Sequence, residues 1–267
     1  MDQSLFEAAR AALLCPEPAA KCAAVTALAA DWRAGRLSLA AAPPPRPVPV
    51  PGRPPRPRLV APRELPRRKL TNPEGRAAFL HALAHIEFNA INLALDALYR
   101  FRQLPRAFYE DWLQVAAEEA LHFELLAGHL ATLGHAYGDF PAHNGLWEMA
   151  CRTDDDLLKR MALVPRVLEA RGLDVTPGMI ERLRQVGDEA AVAILRRIHR
   201  DEIGHVAIGN RWFRWACERA GVAPGPTFRA LLAEYLPGRV RGPFDRPARL
   251  AAGFTPEELD ELEALSS

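Results

Sequence analysis

Arg200-Asp201-Glu202-Ile203-Gly204-His205 is the stretch on which the reading of this chain turns. Glu202 and His205 are three residues apart. On an α-helix that spacing sets both side chains on one face, roughly 4.5 Å apart along the axis. A carboxylate and an imidazole so placed can grip one metal ion. One Glu-x-x-His is common on solvated helices, but a second, Glu119-Ala120-Leu121-His122, lies in an equally helical context. An isolated glutamate precedes each pair, Glu87 and Glu169, both in otherwise apolar runs. The order Glu, Glu-x-x-His, Glu, Glu-x-x-His is the donor set with which a four-helix bundle holds two metal ions.

The spacings support a repeated hairpin. Glu119 follows Glu87 by 32 residues, and Glu202 follows Glu169 by 33. If each interval is an antiparallel pair of helices, its turn falls near the midpoint. The chain reads Gln103-Leu104-Pro105 at the first midpoint and Val186-Gly187-Asp188 at the second. Each supplies a helix-stopping proline or glycine where a turn is needed.

The composition is that of an ordinary globular chain: 267 residues, 49% hydrophobic, 25% charged, net charge +1. No global field favours nucleic acid or a membrane surface. Cys15, Cys22, Cys151 and Cys217 form no C-x-x-C pair and read as free thiols of a reducing compartment. No run of about 18 uninterrupted apolar residues suggests a transmembrane span, and no basic start followed by an apolar run suggests a signal peptide. The expected address is the cytoplasm.

Four segments are expected. Residues 1–42 read as two short helices broken at Cys15-Pro16-Glu17-Pro18, an N-terminal helical cap. Residues 43–70 form a Pro/Arg-rich linker, in which proline forbids helix and favours extended backbone. Its Arg46, Arg53, Arg56, Arg58, Arg63, Arg67, Arg68 and Lys69 are accompanied by one acid, Glu64. It is either a strap whose arginines pair with surface carboxylates or a basic arm for nucleic-acid phosphates. Residues 71–220 are the bundle. Its first helix is capped by Asn72 with Pro73 in the first turn, and its second runs over about 106–133. A long crossover follows over 135–152, with His143 expected to cap the bundle end. The third helix is expected to begin near Thr153-Asp154-Asp155, to kink at Pro165, and to break over 172–177. The fourth is expected over about 188–219. Residues 221–267 form a C-terminal extension with one helix near 227–235 and another from Thr255.

The six donors lie on apolar stripes. Buried carboxylates repel one another and cost several kcal/mol unless paired, so four of them call for cations. Oxygen donors with some nitrogen, and no nearby thiolate, suit iron or manganese better than structural zinc. An acid precedes each pair, Glu118 and Asp201. These are candidates to hold the outer N–H of the opposite imidazole, Asp201 for His122 and Glu118 for His205. His199 is a weaker candidate for a third imidazole. His81 and His85, beside Glu87, read as hydrogen-bonded rather than ligating.

The chain resembles an uncharacterised ferritin-like family known under a domain-of-unknown-function label. The matching stretches are Gly75-Arg76 through His85-Ile86-Glu87, Asp111-Trp112 through Glu118-Glu119-Ala120-Leu121-His122-Phe123, Tyr137-Gly138-Asp139 through Gly145-Leu146-Trp147, Val164-Pro165 through Leu173-Asp174, and Asp201 through Val206. The resemblance implies an all-α, ferritin-like four-helix bundle with a dinuclear site, here carrying extra terminal helices and the Pro/Arg-rich segment. It implies no particular reaction. More distantly, the ligand order is similar to that of di-iron tRNA hydroxylases, rubrerythrins and ferritins. The chain lacks the Cys-rich module of rubrerythrin, and its long extensions argue against a ferritin-type storage shell.

Two functions follow as expectations. The first is an oxygen- or peroxide-activating oxidoreductase, hydroxylase-like, with two ions of iron or manganese. The second is a metal-binding or iron-handling protein without turnover. Expected partners are dioxygen or peroxide, a substrate that could be RNA, and a second copy of the chain as a homodimer; no membrane is expected.

Overall fold

The computed structural model describes residues 3–40, 42–65, 69–238 and 240–266. Arg67 and Arg68 of the expected arm lie outside the described residues. The protein is all-α apart from a two-stranded ribbon, and it divides into two compact units, Met1–Cys151 and Arg152–Ser267. Each expected hairpin falls within one unit.

The first unit opens with β1 (Gln3–Ser4), α1 (Leu5–Leu14), α2 (Pro18–Arg33) and β2 (Leu37–Ser38), the two strands pairing in parallel. The break between the helices is made by Pro16 and by the Glu17 carboxylate, which accepts from the free N–H groups of Ala19 (3.2 Å) and Ala20 (2.7 Å). Helix α3 (Pro73–Arg100) starts as expected, with Asn72 Oδ1 accepting from Glu74 N–H at 3.0 Å. It packs along α4 (Arg106–Thr132), and the turn between them passes through Gln103 in the left-handed region (φ 59°). Helix α1 lies on α3 and α2 on α4. Lys21 of α2 is wholly buried, donating to the Leu13 carbonyl at 2.8 Å and to Asn92 Oδ1 of α3. Helix α3 is the one described helix with the length and apolarity of a membrane span, but 72% of its apolar window is buried inside the protein, as in a core helix.

The Pro/Arg segment is extended apart from one turn of 3-10 helix at Pro62–Glu64. It is held by its backbone. Arg46 N–H donates to Tyr99 Oη (2.7 Å), Trp147 Nε1 donates to the Val48 carbonyl (3.2 Å), and Leu59 bridges Ala142. At Gly52 the strap runs against the end of α1 so closely that a Cβ would stand 2.3 Å from the Leu14 carbonyl carbon. The strap therefore exists, but not through its arginines. Among the described residues none of Arg46, Arg53, Arg56, Arg58 and Arg63 forms an ion pair, and all but the half-buried Arg53 are exposed. Main-chain bonds do the anchoring because a Pro-rich backbone is already extended and loses little entropy on docking.

The connection over 135–152 is not irregular throughout: α5 (Gly145–Arg152) closes it, with His143 Nδ1 accepting from Gly145 N–H at 3.2 Å.

In the second unit the third expected helix begins later than Thr153. Helix α6 (Leu157–Leu163) is capped by Asp156, which accepts from Leu158 N–H at 2.7 Å, while Thr153 is buried as the acceptor of Arg160 Nε (2.8 Å). The disturbance expected at Pro165 is a π-helical turn, Val164–Glu169, between α6 and α7 (Ala170–Gln185). Proline offers no N–H and displaces the carbonyl behind it, so the helix widens there. The break expected over 172–177 does not occur, since α7 runs through Pro177. Pro177 deprives the Leu173 carbonyl of its i+4 donor, and His199 Nε2 of the neighbouring α8 (Glu189–Ala220) supplies a replacement at 3.3 Å. His199 thereby has a structural role as a donor to α7. Helices α9 (Pro224–Tyr235), α10 (Arg246–Ala251) and α11 (Pro256–Ser266) complete the unit. Short α10 was not expected; α11 opens with Thr255 and Glu258 capping each other's backbone N–H.

Helix α8 meets the π turn at Gly209, where an added Cβ would lie 2.2 Å from Pro165 Cβ. Gly209→Ala should therefore destabilise the protein by about 1–3 kcal/mol, the cost of overpacking. Denaturant unfolding checks this; a midpoint equal to wild type would show that the contact is not tight.

Candidate metal centre

Helix periodicity explains how α3 and α4 make a site. Glu87 lies on the apolar stripe of α3, and Glu119 and His122 lie one turn apart on that of α4. Packing the two stripes together buries all three side chains: Glu87 is 5% exposed, Glu119 1% and His122 0%. His122 Nδ1 stands 3.3 Å from Glu87 Oε2 and 3.5 Å from Glu119 Oε2. Each residue offers a donor atom within 4.8 Å of the others, so this buried cluster could hold a metal ion.

An aromatic cluster forms at the neighbouring helix positions. Phe88 and Phe123, the sequence neighbours of Glu87 and His122, pack at 5.4 Å, and Tyr137 of the connection packs on both at 5.4 and 5.1 Å. Tyr137 is held in turn by His85. Nε2 of His85 donates to the His143 carbonyl (3.0 Å), so Nδ1 accepts from Tyr137 Oη (2.9 Å). His81 Nε2 accepts from Gly138 N–H at 2.9 Å. Burial holds both imidazoles well below their usual range, at about 4. They are hydrogen-bonded props of the connection, as the sequence suggested. Sequence reasoning placed Tyr137 only among the aromatics of the connection, and it missed Lys21, whose Nζ lies 5.3 Å from the centre of the Phe88 ring. The signal for Lys21 was a lone lysine in an Ala-rich run. Burial lowers its pKa to about 7, against weaker opposing effects of Cys15 and Cys22.

Burial opposes protonation of His122, but hydrogen bonds to Glu119 and Glu87, and their charges, outweigh it and raise its pKa to about 11. Without metal, the upward direction of this shift favours an imidazolium between two carboxylates. A cation must displace that proton to use the nitrogen.

In the second unit, Glu202 and His205 lie one turn apart on α8, His205 Nδ1 3.6 Å from Glu202 Oε1. His205 is buried and Glu202 half-buried. Glu169 is half-buried at the last position of the π turn. Among the described residues Glu169 does not gather with Glu202 and His205 into a three-donor group. Asp201 accepts from Arg197 and Arg200 of its own helix, and Glu118 accepts from Gln114 at 3.2 Å. All four cysteines are free thiols, as expected.

The family described as "Protein of unknown function (DUF455)" matches residues 14–260, and the chain belongs to it. An uncharacterised protein of Haemophilus influenzae is 53% identical over 214 residues, covering 78% of this chain and 74% of that protein. No solved structure matches the chain.

Because the folded pKa of His122 lies above the ordinary 6.5, its contribution to stability is complete below pH 6.5 and is lost as pH rises through about 11. In metal-free protein the stability difference between wild type and His122→Gln should shrink over that range. Parallel stability curves from pH 6 to 10 would contradict the buried imidazolium.

Proposed function

We propose that this member of the DUF455 family is a ferritin-like dinuclear carboxylate protein, with Glu87, Glu119, His122, Glu169, Glu202 and His205 as ligands to two ions of iron or manganese. In this reading Asp201 and Glu118 orient the imidazoles, and the protein is an oxidoreductase, hydroxylase-like, acting with dioxygen or peroxide. The observation that carries the reading is the burial of Glu87, Glu119 and His122 around one point between α3 and α4. Two carboxylates and an imidazole without a thiolate fit a hard or borderline cation. When bound, such ions supply redox electrons and Lewis acidity. The chain's own part is then definable. Glu87 and Glu119 offset cation charge, and His122 gives up its proton to become a nitrogen donor. The exposed strap arginines support RNA as a substrate, since their charges have no carboxylate partner among the described residues.

A second reading is metal binding or iron handling without turnover, which needs no more than the buried donors Glu87, Glu119 and His122. Anaerobic loading with ferrous iron, followed by a measured pulse of oxygen, separates the two. Oxygen uptake in proportion to bound iron, repeated on re-reduction, supports the enzyme; iron that stays bound and inert supports the second reading.

Protein produced with iron and manganese both available should contain two ions per chain, and Glu119→Ala and Glu202→Ala should each lower that content. Elemental analysis showing zinc alone, or full content in either variant, removes the assignment. Changing Arg53, Arg56, Arg58 and Arg63 to Gln should weaken RNA binding at low salt without lowering the melting temperature, since these side chains do not hold the strap. Unchanged RNA binding would exclude the arm as a phosphate contact.

A further inference from the structure

The second unit contains a cavity of about 330 Å³ with an unusual wall. Four arginines line it, Arg166, Arg171, Arg241 and Arg249, against one carboxylate, Asp174; the rest of the wall is mainly apolar. Asp174 is fully engaged. Its carboxylate is out of solvent and takes Arg249 through both oxygens at 2.8 Å, with Asp245 N–H as a third donor at 3.0 Å. Arg171 is left 3.5 Å from the same carboxylate and otherwise donates to the Arg241 and Pro243 carbonyls. Arg241 is exposed and has no ion pair among the described residues. Arg166 is buried within a cage of Phe213, Phe228 and Phe254, 4.3 to 4.8 Å from their ring centres, and Nη2 reaches Glu258 at 2.7 Å. Its Nε and Nη1 have no hydrogen-bond partner in the described structure. The charge at this wall exceeds what the protein neutralises, as in a site completed by an anion.

The apolar part of the wall points to the rest of the ligand. A second cavity of about 300 Å³ shares Leu236 and Val240 with the first and continues past Leu232 and Leu265. An anionic head in the arginine-lined cavity would have an apolar trough beside it. The two volumes together fall in the usual range of small-molecule sites.

We propose that the cavity between the π turn and helices α9–α11 binds a single-tailed anionic amphiphile, its head at Arg171 and Arg241 and its tail along Leu236 and Val240. Val167 and Leu168 of the π turn form part of the wall, so the ligand would lie behind the turn that carries Glu169. The site is independent of any metal.

The test is calorimetric titration of the full-length protein with dodecanoate and dodecyl phosphate below their micellar concentrations, with dodecanol and acetate as controls. One saturable site is expected for at least one of the two amphiphiles. Whichever binds tighter identifies the head group. Dodecanol and acetate should bind at least about tenfold more weakly, as should the amphiphile to a variant carrying Arg171→Gln and Arg241→Gln, a charged hydrogen bond being worth that factor or more. Val240→Trp, at a half-buried loop position, should block the trough while the melting temperature and helical content stay at wild-type values; Leu236→Trp is the second choice if it does not fold. Equal affinity for dodecanol, an unchanged Kd in the arginine variant, or no saturable binding by either amphiphile overturns the proposal.

Discussion

The burial of two carboxylates against one imidazole is the constraint on which the first unit depends. Glu87 and Glu119 have lost nearly all contact with water, and taking an isolated carboxylate out of water costs several kcal/mol. In the metal-free state His122 offsets that cost by holding a proton far above its normal range. The arrangement is suited to exchange, because a cation entering the cluster replaces a proton rather than filling a neutral pocket. It also explains why α3 carries polar residues on a buried helix. His81 and His85 fix the connection, Asn92 receives Lys21, and Asp96 takes both faces of the Arg100 fork at 2.7 to 3.0 Å. Each of these buried side chains has at least one partner, which favours a single register of α3 against α4.

The second unit is organised around a different constraint, the loss of backbone donors at two prolines. At Pro165 the helix widens into a π turn, and α8 accommodates the ring with a glycine. At Pro177 the helix stays regular because His199 satisfies the orphaned Leu173 carbonyl. The same residue type thus has opposite outcomes twelve residues apart, and the neighbouring helix decides which.

Local signals carried much of this into the sequence. Asn72-Pro73, Glu17-Pro18 and the Thr255/Glu258 pair cap the helices they announce, because caps depend on residues within one turn. Glu87, Glu119 and His122 were legible because a charged residue on an apolar stripe has few structural uses. What escaped was tertiary. Nothing near Pro177 reveals that His199 will bond Leu173, so the helix reads as broken there. Short α5 and α10 lack long periodicity. The arginines of the strap suggested ion pairs, whereas the strap docks through carbonyls and N–H groups that every sequence possesses. Glu169 stands on a π turn that its spacing from Glu202 does not foretell.

The most direct test of the account is anomalous diffraction from crystals grown with manganese or ferrous iron, recorded at the metal's absorption edge. The account predicts a peak in bonding contact with Glu87, Glu119 and His122, with Nδ1 of His122 no longer protonated. An anomalous peak elsewhere, with these three side chains still paired only to one another, would contradict it.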